Sequence, residues 1–238
     1  MCTVTFFPLQ EGGFILTSNR DERLSRSDVL LPAAYSFGGQ RLYFPRDQES
    51  TGTWIASSSG KTFCLLNGAF EYHKSEPPYR KSRGLVLLEM MLASDAALYL
   101  EKQGLDGIEP FTLVMVEENQ GALELQELRW DGELPHLKEL NSSLPCIWSS
   151  ATLYSREIRQ VREEWFFRWL NEKPQPDQDE LLQFHRFGGK GDGENDLVMK
   201  RRNDRQTISI TSVRSRNGEM EMCYEDLVHE KKHRIFIR

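Results

Sequence analysis

Cys2 stands directly after the initiator methionine. A residue that small in second position lets an aminopeptidase remove Met1, and the chain then begins with a thiol that carries its own α-amine. The reference pKa values are about 7.7–8.0 for the amine and about 8.5 for the thiol, so the two share a proton near neutrality. Such a pair is a nucleophile with a built-in base. The competing reading is an ordinary residue opening an N-terminal strand.

Two further groups carry chemistry that fits this one. Ser18-Asn19-Arg20-Asp21-Glu22 follows a short apolar strand. If that strand pairs with the first, the polar run ends beside the start of the chain, where Asp21 can accept a hydrogen bond from the α-ammonium and orient it. A solvated turn is the alternative, because Arg20 and Arg23 flank the acids. Asn67, in Leu65-Leu66-Asn67-Gly68, ends an apolar stretch. Its amide NH₂ can donate to a developing oxyanion, although Asn-Gly is equally a turn dipeptide.

Metal and phosphate motifs are weaker. His229-Glu230-Lys231-Lys232-His233 spells H-E-x-x-H, which on a helix puts two imidazoles one turn apart. Catalytic zinc needs a third protein ligand, and the Lys-Lys interior reads as a solvated helix end. The segment from Phe187 to Asp196 is rich in glycine but lacks the G-K-[ST] ending of a phosphate loop. Leu197 also stands where a calcium loop needs glycine. It reads as a mobile loop near the site. No metal and no cofactor are expected. Asn141-Ser142-Ser143 is a glycosylation sequon that means nothing without secretion.

Composition narrows the class. The chain has 238 residues, with 30 Lys+Arg against 36 Asp+Glu and a formal charge of −6. A nucleic-acid partner normally announces itself by a basic surplus, so none is expected; a small-molecule ligand or substrate is. No apolar run approaches the ~18 residues of a membrane span. The N-terminus lacks the basic and apolar regions of a secretory signal. The four cysteines, at 2, 64, 146 and 223, form no C-x-x-C pair, which suits free thiols in a reducing compartment. The expected location is the cytoplasm. Nothing in the sequence speaks to oligomeric state.

The elements that must position these residues come in segregated runs. Cys2–Phe7 and Phe14–Thr17 read as a strand hairpin, and Thr53–Ala56 and Thr62–Leu66 as two more strands. Leu85–Leu92 and Asp95–Lys102 read as helices, the first with Ser82 near its start and the second stopping at Gly104. Phe111–Val116 and Leu123–Leu128 read as a second hairpin. Ile158, Val161, Trp165, Phe166, Trp169 and Leu170 share one face of a third helix, ended by Pro174 and Pro176. A fourth helix covers Asp179–Phe187, and strands return at Thr207–Val213 and Glu219–Tyr224. Strands, two helices, strands, two helices, strands: the pattern suits a layered α+β protein, with one domain spanning residues 1–238.

The combination of Cys2, Ser18-Asn19-Arg20-Asp21-Glu22, Thr51-Gly52-Thr53-Trp54-Ile55-Ala56 and Leu66-Asn67 resembles the NRDE family, which includes homologues of the transport and Golgi organization 2 protein. Trp148-Ser149-Ser150-Ala151 resembles its S-N-A element, and Arg205-Gln206-Thr207-Ile208-Ser209 its late R-x-T-V-S strand. That family is in turn similar to cysteine-type N-terminal-nucleophile (Ntn) hydrolases such as bile-salt hydrolase and penicillin V acylase. The resemblance implies a four-layer αββα sandwich and an amidohydrolase acting on a non-peptide C–N bond. It implies Cys2 as nucleophile, Asp21 orienting the amine or thiol, Asn67 as oxyanion donor and Arg205 near the arginine that supports the thiolate. Two positions depart from those enzymes. Ser18 replaces an arginine, with Arg20 the candidate substitute, and Ser150 replaces a second oxyanion asparagine. The resemblance also implies an alternative, a non-catalytic protein that handles haem or lipid on the same fold.

Overall fold

The computed structural model describes residues 3–26, 28–119, 121–201 and 204–238. Strand β1 (Thr3–Pro8) pairs antiparallel with β2 (Phe14–Arg23), setting Thr3 opposite Asn19 and Pro8 opposite Phe14. Successive strand side chains point to opposite faces. Val4, Phe6, Phe14 and Leu16 therefore enter one core, while Phe7 and Ile15 enter another. The sequence reads only Phe14–Thr17 as strand, with the polar run beyond it. Instead β2 continues through all five polar residues, because β11 (Arg205–Arg216) pairs along its length, from Arg205 opposite Arg23 to Ser215 opposite Phe14.

Strands β10 (Cys146–Ser149), β12 (Glu219–Asp226) and β13 (Lys231–Ile237) complete a sheet of order β10-β1-β2-β11-β12-β13. A second sheet runs in chain order: β3 (Val29–Phe37), β4 (Gln40–Asp47), β5 (Ile55–Ser58), β6 (Lys61–Asn67), β7 (Phe111–Asn119), β8 (Ala122–Trp130) and β9 (Pro135–Leu140). All the pairings within both sheets are antiparallel. The two sheets share a core in which Phe6, Phe14, Leu16 and Met222 of the first meet Ile55, Cys64, Leu66 and Val114 of the second.

Two helix pairs cover the outer faces. Helices α1 (Arg83–Leu92) and α2 (Ala96–Gln103) pack Val86, Leu87, Met90 and Tyr99 against Leu42, Phe63 and Leu113 of the second sheet. Helices α3 (Arg156–Glu172) and α4 (Gln178–Phe187) pack Phe166, Leu170, Leu181 and Phe184 against Phe7 and Ile15 of the first. Each helix starts at a side-chain cap: Ser82, Asp95, Ser155 and Asp177 accept from the backbone N–H three residues on. Together these make a mixed α+β structure, and the segregated element order read from the sequence holds.

Strands β3, β4, β9, β10 and β13 are absent from the sequence reading. β3 and β9 are sheet edges with mostly exposed side chains, so they lack a buried stripe. β3 also carries Pro32 inside a register shift between Leu30 and Ala33, where edge strands tolerate proline. The H-E-x-x-H segment is no helix end: Glu230 has φ +54° in a turn, and Lys231 opens β13 against β12, with His233 opposite Tyr224. Among the described residues no group of three His, Cys, Asp or Glu side chains could hold a metal. Among the described residues, no helix is long and apolar enough to cross a membrane.

Candidate functional site

Strand alternation splits the polar motif between the two faces of β2. Asn19 and Asp21 turn toward the helices, while Arg20 turns toward the second sheet. Cys2 itself lies outside the described residues, and its surroundings define the site.

On the helix face, the Asp21 carboxylate is buried and accepts from the Tyr154 hydroxyl at 2.7 Å and the Thr207 hydroxyl at 2.5 Å. Tyr154 sits just past β10 and Thr207 on β11. The Arg162 guanidinium lies 3.6 Å from the Tyr154 ring centroid, and that of Arg201 lies 5.2 Å away. Arg162 is wholly buried and donates to Thr3 Oγ1 at 2.5 Å, to the Asp196 carbonyl at 2.7 Å and twice to the Asn195 carbonyl. It thus ties α3, the start of β1 and the glycine-rich loop to the ring that holds Asp21. That loop is pinned by these bonds, and by Asp196 accepting from the Lys190 N–H at 2.7 Å, whereas the sequence reads it as mobile.

The same face carries a histidine that the sequence reading passes over. Asn19 donates to the carbonyls of His185 and Leu197 at 3.1 and 2.8 Å, so its side-chain oxygen faces His185 Nδ1 and accepts from it. Nε2 then accepts from the Thr5 hydroxyl at 2.7 Å. Both ring nitrogens are satisfied in the neutral tautomer. Complete burial, and secondarily the Arg162 charge, push the imidazole down to about 3.

On the other face, Arg20, Asp47, Trp54, Asn67, Arg83 and Glu109 are among the residues lining a cavity of about 340 Å³. Arg20 donates to Asp47 at 2.6 Å and lies over the Trp54 ring at 4.4 Å. Burial lowers its pKa against the opposing pull of Asp47. Arg83 pairs with Glu109 at 3.0 Å. The Trp54 loop meets α1 so closely that a Cβ on Gly84 would stand 2.5 Å from the Thr53 carbonyl oxygen, and one on Gly52 2.8 Å from the Gly84 carbonyl carbon.

Of the residues singled out in the sequence, Arg20 and Asn67 share this cavity, and Ser150 joins them through the backbone. Its buried hydroxyl donates to the Asn67 main-chain carbonyl at 2.8 Å. Asp21 faces the other side of β2. Arg205 lies at the strand end opposite Arg23, half-buried, and Thr207 rather than Arg205 reaches Asp21. Tyr154, Arg162, Thr207 and His185 are missed. A signal for Arg162 existed, since it falls four and eight residues before Phe166 and Leu170 on one helix stripe. The buried residues of α3 are Arg162, Phe166 and Leu170, which moves the inward face away from Ile158 and Trp165.

The three described cysteines are free, and burial raises each thiol pKa: Cys64 to about 12, Cys146 to about 11, and Cys223 upward. None is poised as a thiolate at neutral pH.

These features define an α+β protein with two antiparallel sheets and a largely buried polar motif at the end of its first hairpin, beside the start of β1. The family model for Transport and Golgi organisation 2 matches residues 1–184, and the chain belongs to that family. The match runs from the first hairpin into α4 and takes in Asp21, Asn67, Ser150, Tyr154 and Arg162; Thr207 and Arg205 lie beyond it. No curated protein matches the chain.

Proposed function

We propose that this chain is a cysteine-type Ntn hydrolase, a single domain over residues 1–238 with the layering of an αββα sandwich, that cleaves a non-peptide amide bond in a small molecule. In this reading, processing exposes Cys2. Its thiol attacks the amide carbonyl while the α-amine takes the thiol proton. The Asn67 amide donates to the oxyanion, and the proton passes to the departing amine. Water then releases the acid from the acyl-enzyme. Asp21 orients the α-amine or thiol, Arg20 stands in for the missing hydrolase arginine, and Arg205 stands near the position of the late arginine that supports the thiolate.

One observation carries the reading. Thr3 lies in register with Asn19 on one side and Ser149 on the other. The start of β1 is therefore flanked by the two segments that bring Arg20, Asp21, Ser150 and, through Ser150, Asn67.

Peptide-mapped mass spectrometry after a brief, sub-stoichiometric iodoacetamide pulse at neutral pH tests it. A chain beginning at Cys2, labelled there ahead of Cys64, Cys146 and Cys223, is the expected result. Retained Met1, or a Cys2 no faster than the others, removes the mechanism.

A second reading, a non-catalytic carrier of haem or lipid cargo on the same fold, is favoured by Ser150. Its hydroxyl proton is directed at the Asn67 carbonyl, so the second oxyanion donor of the hydrolases is not replaced in kind. A lost donor of this type costs about 10²–10³ in rate. A haemin titration with a Soret shift abolished by Cys2→Ser supports the carrier reading.

A further inference from the structure

A second cavity of about 520 Å³ opens between the end of β6, strands β8 and β10, and the first turns of α3. Leu66, Ile147 and Trp148 give it an apolar lining. Its size lies within the roughly 300–1,000 Å³ of small-molecule sites.

The charged lining is cationic in balance, with Arg129, Arg156 and Arg159 against Glu71 and Glu163. The Glu71 carboxylate is well exposed and stands 3.9 Å from Arg159, a separation at which a solvated pair contributes little. Arg129 spends its terminal nitrogens on the Ala69 carbonyl and the Glu127 carboxylate, at 2.9 and 2.8 Å, and lies over the Phe70 ring at 5.1 Å.

Three buried polar atoms on lining residues have no partner among the described residues: Ser149 Oγ, Arg129 Nε and Arg159 Nε. All three can donate. A buried donor left unpaired is destabilising; these three are closed off from solvent, and the lining cations that solvent reaches are the exposed Arg156 and the half-buried Arg159. Guanidinium groups match the planar, multidentate geometry of carboxylate and phosphate.

We infer that this cavity binds the acidic head of a small amphiphilic molecule, a carboxylate or a phosphate monoester, with its apolar body against Leu66, Ile147 and Trp148. The inference does not depend on the hydrolase reading, because binding here requires no reaction at Cys2.

Calorimetric titration of the full chain with 3-phenylpropanoate, phenyl phosphate and the neutral 3-phenylpropanol tests it. The tighter-binding acid should exceed the alcohol by about tenfold or more, the scale of a charge-assisted hydrogen bond. Its identity tells carboxylate from phosphate. Combined Arg156→Ala and Arg159→Ala should weaken the acid by about tenfold and leave the alcohol unchanged. Arg168→Ala, exposed on the same helix but outside the cavity, should change neither. Glu163→Gln should tighten acid binding, an outcome that misfolding cannot imitate. No binding of either acid at millimolar concentration overturns the inference. So does equal affinity for acid and alcohol, or acid binding indifferent to the loss of Arg156 and Arg159.

Discussion

The Arg162 guanidinium stacks on the Tyr154 ring, 3.6 Å from its centroid, while the Tyr154 hydroxyl donates to Asp21 at 2.7 Å. A wholly buried cation thus braces the ring that positions a buried carboxylate, and the same cation bonds the start of β1 and two loop carbonyls. Arg162→Ala leaves those carbonyls and Thr3 without their donor and opens a void. The expected loss is about 3 kcal/mol or more, read as a lowered midpoint in urea denaturation. Arg162→Lys should recover only part of it, because an ammonium cannot reproduce the planar fork. Equal stability of the alanine variant and the parent would falsify the bracing role.

Tyr154→Phe keeps the ring for Arg162 and removes one donor from Asp21. A loss of about 1–3 kcal/mol is expected for the weakened satisfaction of a buried carboxylate. Asp21→Asn added to Tyr154→Phe should cost less than the sum of the two single changes. A double-mutant cycle measures that coupling; strict additivity would mean the hydroxyl and the carboxylate do not act together.

His185 predicts a pH dependence of stability. Its folded pKa, about 3, lies below the ordinary imidazole value of 6.5. Between those values the unfolded chain binds a proton that the folded chain refuses, so stability falls as pH drops below about 6.5 and continues falling toward about 3. The slope approaches about 1.4 kcal/mol per pH unit for one such group. Denaturation of the parent between pH 7.5 and 5 should show the slope growing toward this value as the pH falls. His185→Gln should be less stable at pH 7.5 yet flatter across the range. A slope unchanged in the variant would assign the effect to other groups.

The contact between the Trp54 loop and α1 depends on two glycines. Gly84→Ala places a methyl 2.5 Å from the Thr53 carbonyl oxygen and 2.8 Å from its amide nitrogen, both backbone atoms. The cost expected from such overpacking is about 1–3 kcal/mol. Gly193→Ala meets nothing within 4 Å, and its midpoint should match the parent within error. Thermal denaturation of the two variants side by side makes the comparison.

Asn67 separates fold from chemistry. The bond from Ser150 ends on its main-chain carbonyl, so Asn67→Ala keeps that contact. Under the hydrolase reading, the variant should fold normally and lose about 10²–10³ in turnover of whatever amide the parent cleaves. Full turnover in Asn67→Ala would take the oxyanion role from this residue.

Local chemistry sufficed for much of this protein. Ser82, Asp95 and Pro174 bound helices by capping or by the loss of a donor, and the apolar hairpins declare themselves through alternation. The order of elements and the family motif followed from residues within a few positions of one another. The edge strands stayed hidden because an exposed edge has no buried stripe to reveal it. What the tertiary structure alone decided is which face of β2 each motif residue takes and who meets it there. Alternation assigns Asn19 and Asp21 to one side and Arg20 to the other, but only after β11 extends β2 through the motif. Tyr154 and Thr207 reach Asp21 across 133 and 186 residues of chain. Arg162 looks like one more charge on an amphipathic helix until the loop carbonyls and the Tyr154 ring close around it. A side chain's type and neighbours in sequence set what it can donate or accept. Which distant group stands within hydrogen-bond reach is set only when the sheets and helices pack.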